Sequence, residues 1–227
     1  MKTTNKPENF VASGEIADKD SSSMPFLGQE IAPVYSVSGT ELFSYFNAGI
    51  QGNPAPHAAI TVAQLYSIIT DPPLDLQRLS DAARIEFSNN GNSDFYKKLK
   101  RQLHHVAPAG TFAPHRDGKH LSARSKWLVL DFDHLPDLTV ARDTLLTDEL
   151  LKCEIGILFT SPSGAGLKIL VAADLNSSHL DNFEAYADYL TEHYASIGLV
   201  PDRSGKDIAR ACFVPHAPEA WLNPIYS

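Results

Sequence analysis

The chain has 227 residues, 43% of them hydrophobic and 20% charged, with a net charge of −8. These are values of a globular protein long enough for one large domain or a domain with a tail. No apolar run spans a membrane, Met1 to Glu30 hold no apolar secretory core, and the acidic balance argues against a general nucleic-acid coat protein. The expectation is a cytoplasmic protein with no membrane partner.

Residues 1–32 are polar and serine-rich and predict a disordered tail, with a single domain over 33–227. Val34 to Val37 suggests a first strand. Thr61 suits a helix N-cap, with Val62, Leu65, Ile68 and Ile69 as the buried stripe and Asp71-Pro72-Pro73 as the stop. Helices over Asp75–Phe87 and Ser93–His104 follow, separated by Asn89-Asn90-Gly91-Asn92. Gly110-Thr111-Phe112 reads as a strand end and Asp117-Gly118 as a hairpin turn. Trp127–Phe132 is an apolar strand and Thr139–Leu151 a helix. Ile155–Thr160 and Leu167–Ala172 form a hairpin around a glycine loop. Ser178–Ile197 is an amphipathic helix closed by Gly198, and Asp207–Pro215 brings a last strand. The class is α+β, with a mixed or antiparallel sheet and flanking helices. Cys212, between Ala211 and Phe213, reads as core, and two cysteines are too few for a four-cysteine zinc site.

Three segments carry chemistry. Asp131 and Asp133 end the strand Leu128-Val129-Leu130-Asp131-Phe132-Asp133. Side chains two apart on a strand share a face, and carboxylates that close repel unless a cation such as Mg²⁺ or Mn²⁺ lies between them, or the strand simply ends at a solvated acidic turn. Ser161-Pro162-Ser163-Gly164-Ala165-Gly166-Leu167-Lys168 offers loop amides at Gly164 and Gly166, the hydroxyls of Ser161 and Ser163, and the Lys168 charge to an anion, or is an ordinary hairpin turn. In Asp202 to Arg210, Asp207 and Arg210 offer a third metal ligand and a phosphate contact, or an internal ion pair. The histidines carry little: His104 and His105 read as a helix end, and no Cys/His spacing supports zinc.

Charge is uneven along the chain. Asp94 to Lys126 holds eight Lys or Arg against two Asp, a net +6, leaving −14 elsewhere. Lys97, Lys98, Arg101, Arg116, Lys119 and Arg124 are the candidate DNA contacts, though Lys97–Arg101 also fits a solvated helix face.

In this order the segments resemble the archaeo-eukaryotic primase superfamily: a strand D-x-D (Asp131, Asp133), a hairpin motif (Ser163 to Lys168) and a late Asp (Asp207). More closely, the chain resembles the VirE N-terminal domain family. The matching stretches are Gly110-Thr111-Phe112, Leu128 to Leu135, Ser161 to Lys168, and Gly205 to Val214 followed by Asn223-Pro224. Lys168 stands where the superfamily usually has histidine. The resemblance implies an RRM-like primase-polymerase core and two-metal nucleotidyl transfer at Asp131, Asp133 and Asp207. It further implies nucleoside triphosphates and single-stranded or primed DNA as ligands, and replication of a mobile element or phage beside a helicase. The alternatives are a degenerate nucleic-acid- or nucleotide-binding module and a metal-dependent phosphodiesterase.

Overall fold

Phe43–Phe46 (β1) is the first strand in the computed structural model, which describes residues 39–227. The expected tail over 1–32 and strand at Val34 to Val37 lie outside the described residues. Ala58–Ile60 (β2) pairs with β1, and Val62–Thr70 (α1) follows at once. Thr61 caps α1 reciprocally with Gln64: each side chain bonds the other's backbone N–H, which satisfies two orphan donors of the first turn. Leu74–Asn90 (α2) and Asp94–Lys100 (α3) form a helical pair, α3 capped by Ser93. The second helix ends earlier than expected. His105 opens the strand His105–Ala107 (β3), which is fully buried.

Gly110–Phe112 (β4) and Leu121–Arg124 (β5) make a two-stranded ribbon. Its connection is longer than a tight hairpin and contains a 3₁₀ turn at Gly118–His120, capped by Asp117. Next come Trp127–Phe132 (β6), Leu138–Thr147 (α4), Leu151–Glu154 (α5), Ile155–Thr160 (β7), Leu167–Ala172 (β8) and His179–Tyr194 (α6). The single helix expected over Thr139–Leu151 is broken. The Asp148 carboxylate accepts from the Leu150 and Leu151 amides and starts α5 afresh. After α6, Gly198 takes the left-handed conformation (φ 86°) that a Cβ would strain, and turns the chain back. Cys212–Phe213 (β9) and Trp221–Leu222 (β10) complete the strands, so the expected last strand is only two residues long.

The strand orders are β2-β1-β3-β9 and β10-β7-β8-β6, and every pairing is antiparallel. The class is therefore α+β with antiparallel sheets and six α-helices among the described residues. The second sheet separates two cores by the alternation of its strands. Leu128, Leu130 and Phe132 of β6, with Leu167, Ile169 and Val171 of β8, pack under α4, α5 and α6. Trp127 and Val129 of β6, with Leu170 of β8, face α1 and the first sheet. Asp131 and Lys168 follow in the second series, so strand parity alone turns both toward the layer between the sheets. Cys212 is buried there, as expected. No helix among the described residues is long and apolar enough to cross a membrane.

A candidate metal centre between two sheets

Three carboxylates meet where β6 ends. Asp131 is the last residue of β6 on the inter-sheet face, and Asp133 leaves the strand into solvent. The third is Asp202. Its backbone N–H donates to the Asp131 carbonyl at 2.9 Å, which ties the segment after α6 to the strand end. Its side chain caps a 3₁₀ turn over Arg203–Lys206 through the Ser204 N–H (3.0 Å) and hydroxyl (2.6 Å). Asp131, Asp133 and Asp202 each offer an oxygen, and these atoms all lie within 4.8 Å of one another.

Asp207, the expected third ligand, is not in this group. It closes the same 3₁₀ turn from its other end, is exposed, accepts from the Ala209 N–H at 2.9 Å, and lies by Arg116. The expectation missed Asp202 because a capping Asp after Pro201 looks like local turn chemistry. The backbone bond to Asp131 that gives it a second role joins residues 71 positions apart.

Lys168 is not an open charge at the edge of the loop. It is 4% exposed and its ammonium pairs with Oδ2 of Asp131. Burial alone would lower its pKa, but the charge and hydrogen bond of Asp131 outweigh that and hold the amine above its usual value. Oδ1 of Asp131 is buried and has no hydrogen-bond partner among the described residues. Burial pushes the Asp202 carboxyl up, but its Ser204 bonds and the charges of Arg210 and Lys168 prevail and hold it below the usual range. Arg210 reaches Asp202 at 3.3 Å.

The glycine loop is not an open anion cradle. Ser161 is 2% exposed. Its hydroxyl meets that of Ser163 at 2.9 Å, and Ser163 accepts from the Ala165 N–H. The Tyr96 phenol of α3 lies near Ser163. Gly164 (φ 75°) lies under the Arg84 side chain of α2, and a Cβ on Gly166 would stand 2.2 Å from the Phe132 carbonyl oxygen. The loop's hydrogen-bonding groups are largely used in holding the β7–β8 turn beneath α2 and α3.

The basic stretch divides. Lys97, Lys98, Arg101 and Lys119 are exposed, Lys97 with an ion pair to Asp94 at 3.2 Å. Arg116 and Arg124 donate to the Ala209 and Ser177 carbonyls and serve the fold. Lys100, left out of the expected DNA contacts, feels the charges of Asp131 and Asp133. His105, read as a helix end, is buried, stacked on Phe46 at 4.4 Å, and donates through Nδ1 to the Ala48 carbonyl. Burial, and then repulsion from Arg116, lower its pKa to about 4.

These features define an antiparallel α+β domain with a three-carboxylate cluster at a strand end. The family described as BT4734-like, N-terminal domain matches residues 98–221, more than half of the sequence, and the chain belongs to it. This corrects the resemblance to the VirE N-terminal and primase-polymerase families, which is not the family that the chain matches. No curated protein and no solved structure matches the chain.

Proposed function

We propose that the chain carries out divalent-cation-dependent nucleotidyl transfer, joining a nucleotide to a nucleic-acid hydroxyl with release of pyrophosphate. The observation that carries this reading is the meeting of Asp131, Asp133 and Asp202 within 4.8 Å, beside the cations Lys168 and Arg210. An all-oxygen donor set suits Mg²⁺ or Mn²⁺. Ligands about 2.1 Å from such an ion stand at most about 4.2 Å apart, so the carboxylates need to close only slightly. Oδ1 of Asp131 supplies a buried oxygen with no partner among the described residues.

A cation held there would neutralise phosphate charge and favour the ionised hydroxyl. The chain's own groups prepare the site. Lys168 fixes the orientation of Asp131 and leaves one oxygen for a cation. Arg210 and Ser204 orient Asp202. Lys98, Arg101 and Lys119 are exposed to a phosphate backbone, and Lys97 would meet one in exchange for Asp94.

Incorporation of labelled nucleotides on a primed template with Mn²⁺, compared with Asp133→Asn, tests the proposal. Incorporation by the wild type alone supports it, and none by either protein overturns it. One observation favours a second reading: the Lys168 ammonium already balances Asp131, as it would in a non-catalytic nucleotide-binding module. Nucleotide binding without incorporation selects that module. Loss of DNA without synthesis selects a phosphodiesterase.

A further inference from the structure

We infer that a second subsite lies beside the carboxylates, where Lys100, Arg116 and Arg210 gather around Phe213, and that it binds the phosphates of a nucleotide's polyphosphate tail. The inference rests on the nucleotidyl-transfer reading for its ligand and on independent residues for its existence. A cavity of about 190 Å³ is lined by Ile50, Arg116, Asp207, Arg210, Ala211 and Phe213. Lys100 stands at its edge, with its ammonium 5.7 Å from the Phe213 ring centre and 5.9 Å from that of Tyr96.

Lys100 and Arg116 are incompletely matched, while Arg210 pairs with Asp202. Among the described residues no carboxylate lies within ion-pair distance of Lys100, whose contacts are ring faces. Burial lowers its pKa first, and repulsion from Lys168 and Arg210 adds to that against the pull of Asp131 and Asp133. Arg116 gives one nitrogen to the Ala209 carbonyl, while its Nε is buried without a partner among the described residues. Arg210 repels Arg116, and Asp207 offsets part of that repulsion. Repelling cations in a half-buried cleft are what a polyanion relieves, and guanidinium groups suit phosphate oxygens.

Placement supports a polyphosphate over an isolated anion. Arg210 lines the cavity and also reaches Asp202 at 3.3 Å, so one side chain touches both subsites. A phosphate chain bound at the cations would thus bring oxygens to the cation site, and Mg²⁺ is commonly held by carboxylates together with substrate phosphates. The glycine loop, buried under α2 and α3, does not compete for this role. Asp207 on the cavity wall weakens any anion there.

Calorimetric titration with inorganic pyrophosphate at low salt, without divalent metal, tests the subsite. The wild type is expected to bind pyrophosphate more tightly than orthophosphate. Lys100→Gln should weaken it at least fivefold, Lys100→Gln with Arg210→Gln at least tenfold, and Asp207→Asn should strengthen it. Among the described residues the Lys100 ammonium has ring contacts but no hydrogen bond or ion pair to lose, so an unchanged melting temperature in its variant keeps the result interpretable. No pyrophosphate binding, or affinities within twofold of wild type in both cation variants, overturns the subsite. If instead an oligothymidylate loses affinity in the variants while pyrophosphate does not, the cations serve a nucleic-acid backbone and the nucleotide assignment falls. Loss of pyrophosphate binding in the variants of a protein that binds no Mn²⁺ keeps the subsite and removes the nucleotidyl-transfer reading.

Discussion

Asp131 and Lys168 stand directly opposite each other across the β6–β8 ladder, and their side chains meet in an ion pair that is almost closed to solvent. Residues in register on neighbouring antiparallel strands share a face. The pair is thus set by backbone pairing as much as by charge.

Removing one partner leaves the other charged and buried. Lys168→Ala is therefore expected to cost about 3–5 kcal/mol of stability, the range for breaking a buried pair. Urea unfolding of the variant and wild type measures it, and a loss under about 1 kcal/mol would assign the pair surface-like strength. In the same variant both Asp131 oxygens are released, so Mn²⁺ should raise the melting temperature by more than it does in the wild type.

The ligand set is separable by substitution. Asp133→Asn and Asp202→Asn should each abolish or strongly weaken Mn²⁺ binding, while Asp207→Asn should leave it near wild type. A ligand at about a hundred times its dissociation constant stabilises the fold by about 2.7 kcal/mol, so thermal melts with and without Mn²⁺ suffice. Loss of binding in Asp207→Asn with retention in Asp202→Asn would reverse the assignment.

His105 gives a pH dependence. Its folded pKa of about 4 lies below the ordinary 6.5, so the unfolded chain takes up its proton first on acidification. The contribution is complete above about pH 6.5 and is lost as pH falls toward 4, amounting to about 3 kcal/mol at about 1.4 kcal/mol per unit. Between pH 8 and 5 the denaturation midpoint should fall further in the wild type than in His105→Gln. Equal falls would place the sensitivity elsewhere.

Gly166 allows close approach of two strands. A Cβ there would stand 2.2 Å from the Phe132 carbonyl oxygen, so Gly166→Ala must push β8 away from β6. The expected loss is about 1–3 kcal/mol. It should be accompanied by weaker Mn²⁺ binding, because the same displacement misaligns Asp131. A variant as stable as wild type would mean that the turn relaxes freely.

What the sequence discloses is what neighbours in the chain decide. β7 and β8 occupy Ile155–Thr160 and Leu167–Ala172 as expected, and the Thr61 cap and Gly198 turn follow from side-chain chemistry within a few residues. Asp131 and Asp133 stand out because strand parity is local. Asp202 does not, since it reaches the site through a long-range backbone bond. β1 and β3 also escape, being four and three residues long and buried throughout, without polar alternation. Beside the glycine loop, Lys168 reads locally as a charge offered to an anion. Its place inside the apolar run Leu167-Lys168-Ile169-Leu170 is the mark of a lysine that has a buried partner.

The limits of the family match have a practical consequence. The matched segment, 98–221, contains β3 but not β1, although β1 pairs with β3 on the side away from β9. A fragment cut to the matched segment would bare a row of unpaired amides and carbonyls along β3. It would also uncover the cluster that Phe43, Leu65 and Ile69 help to fill. Such an edge templates association between copies, so the trimmed fragment should aggregate where the longer chain does not. The part of this protein that is recognisable by kinship is thus smaller than the part that can fold.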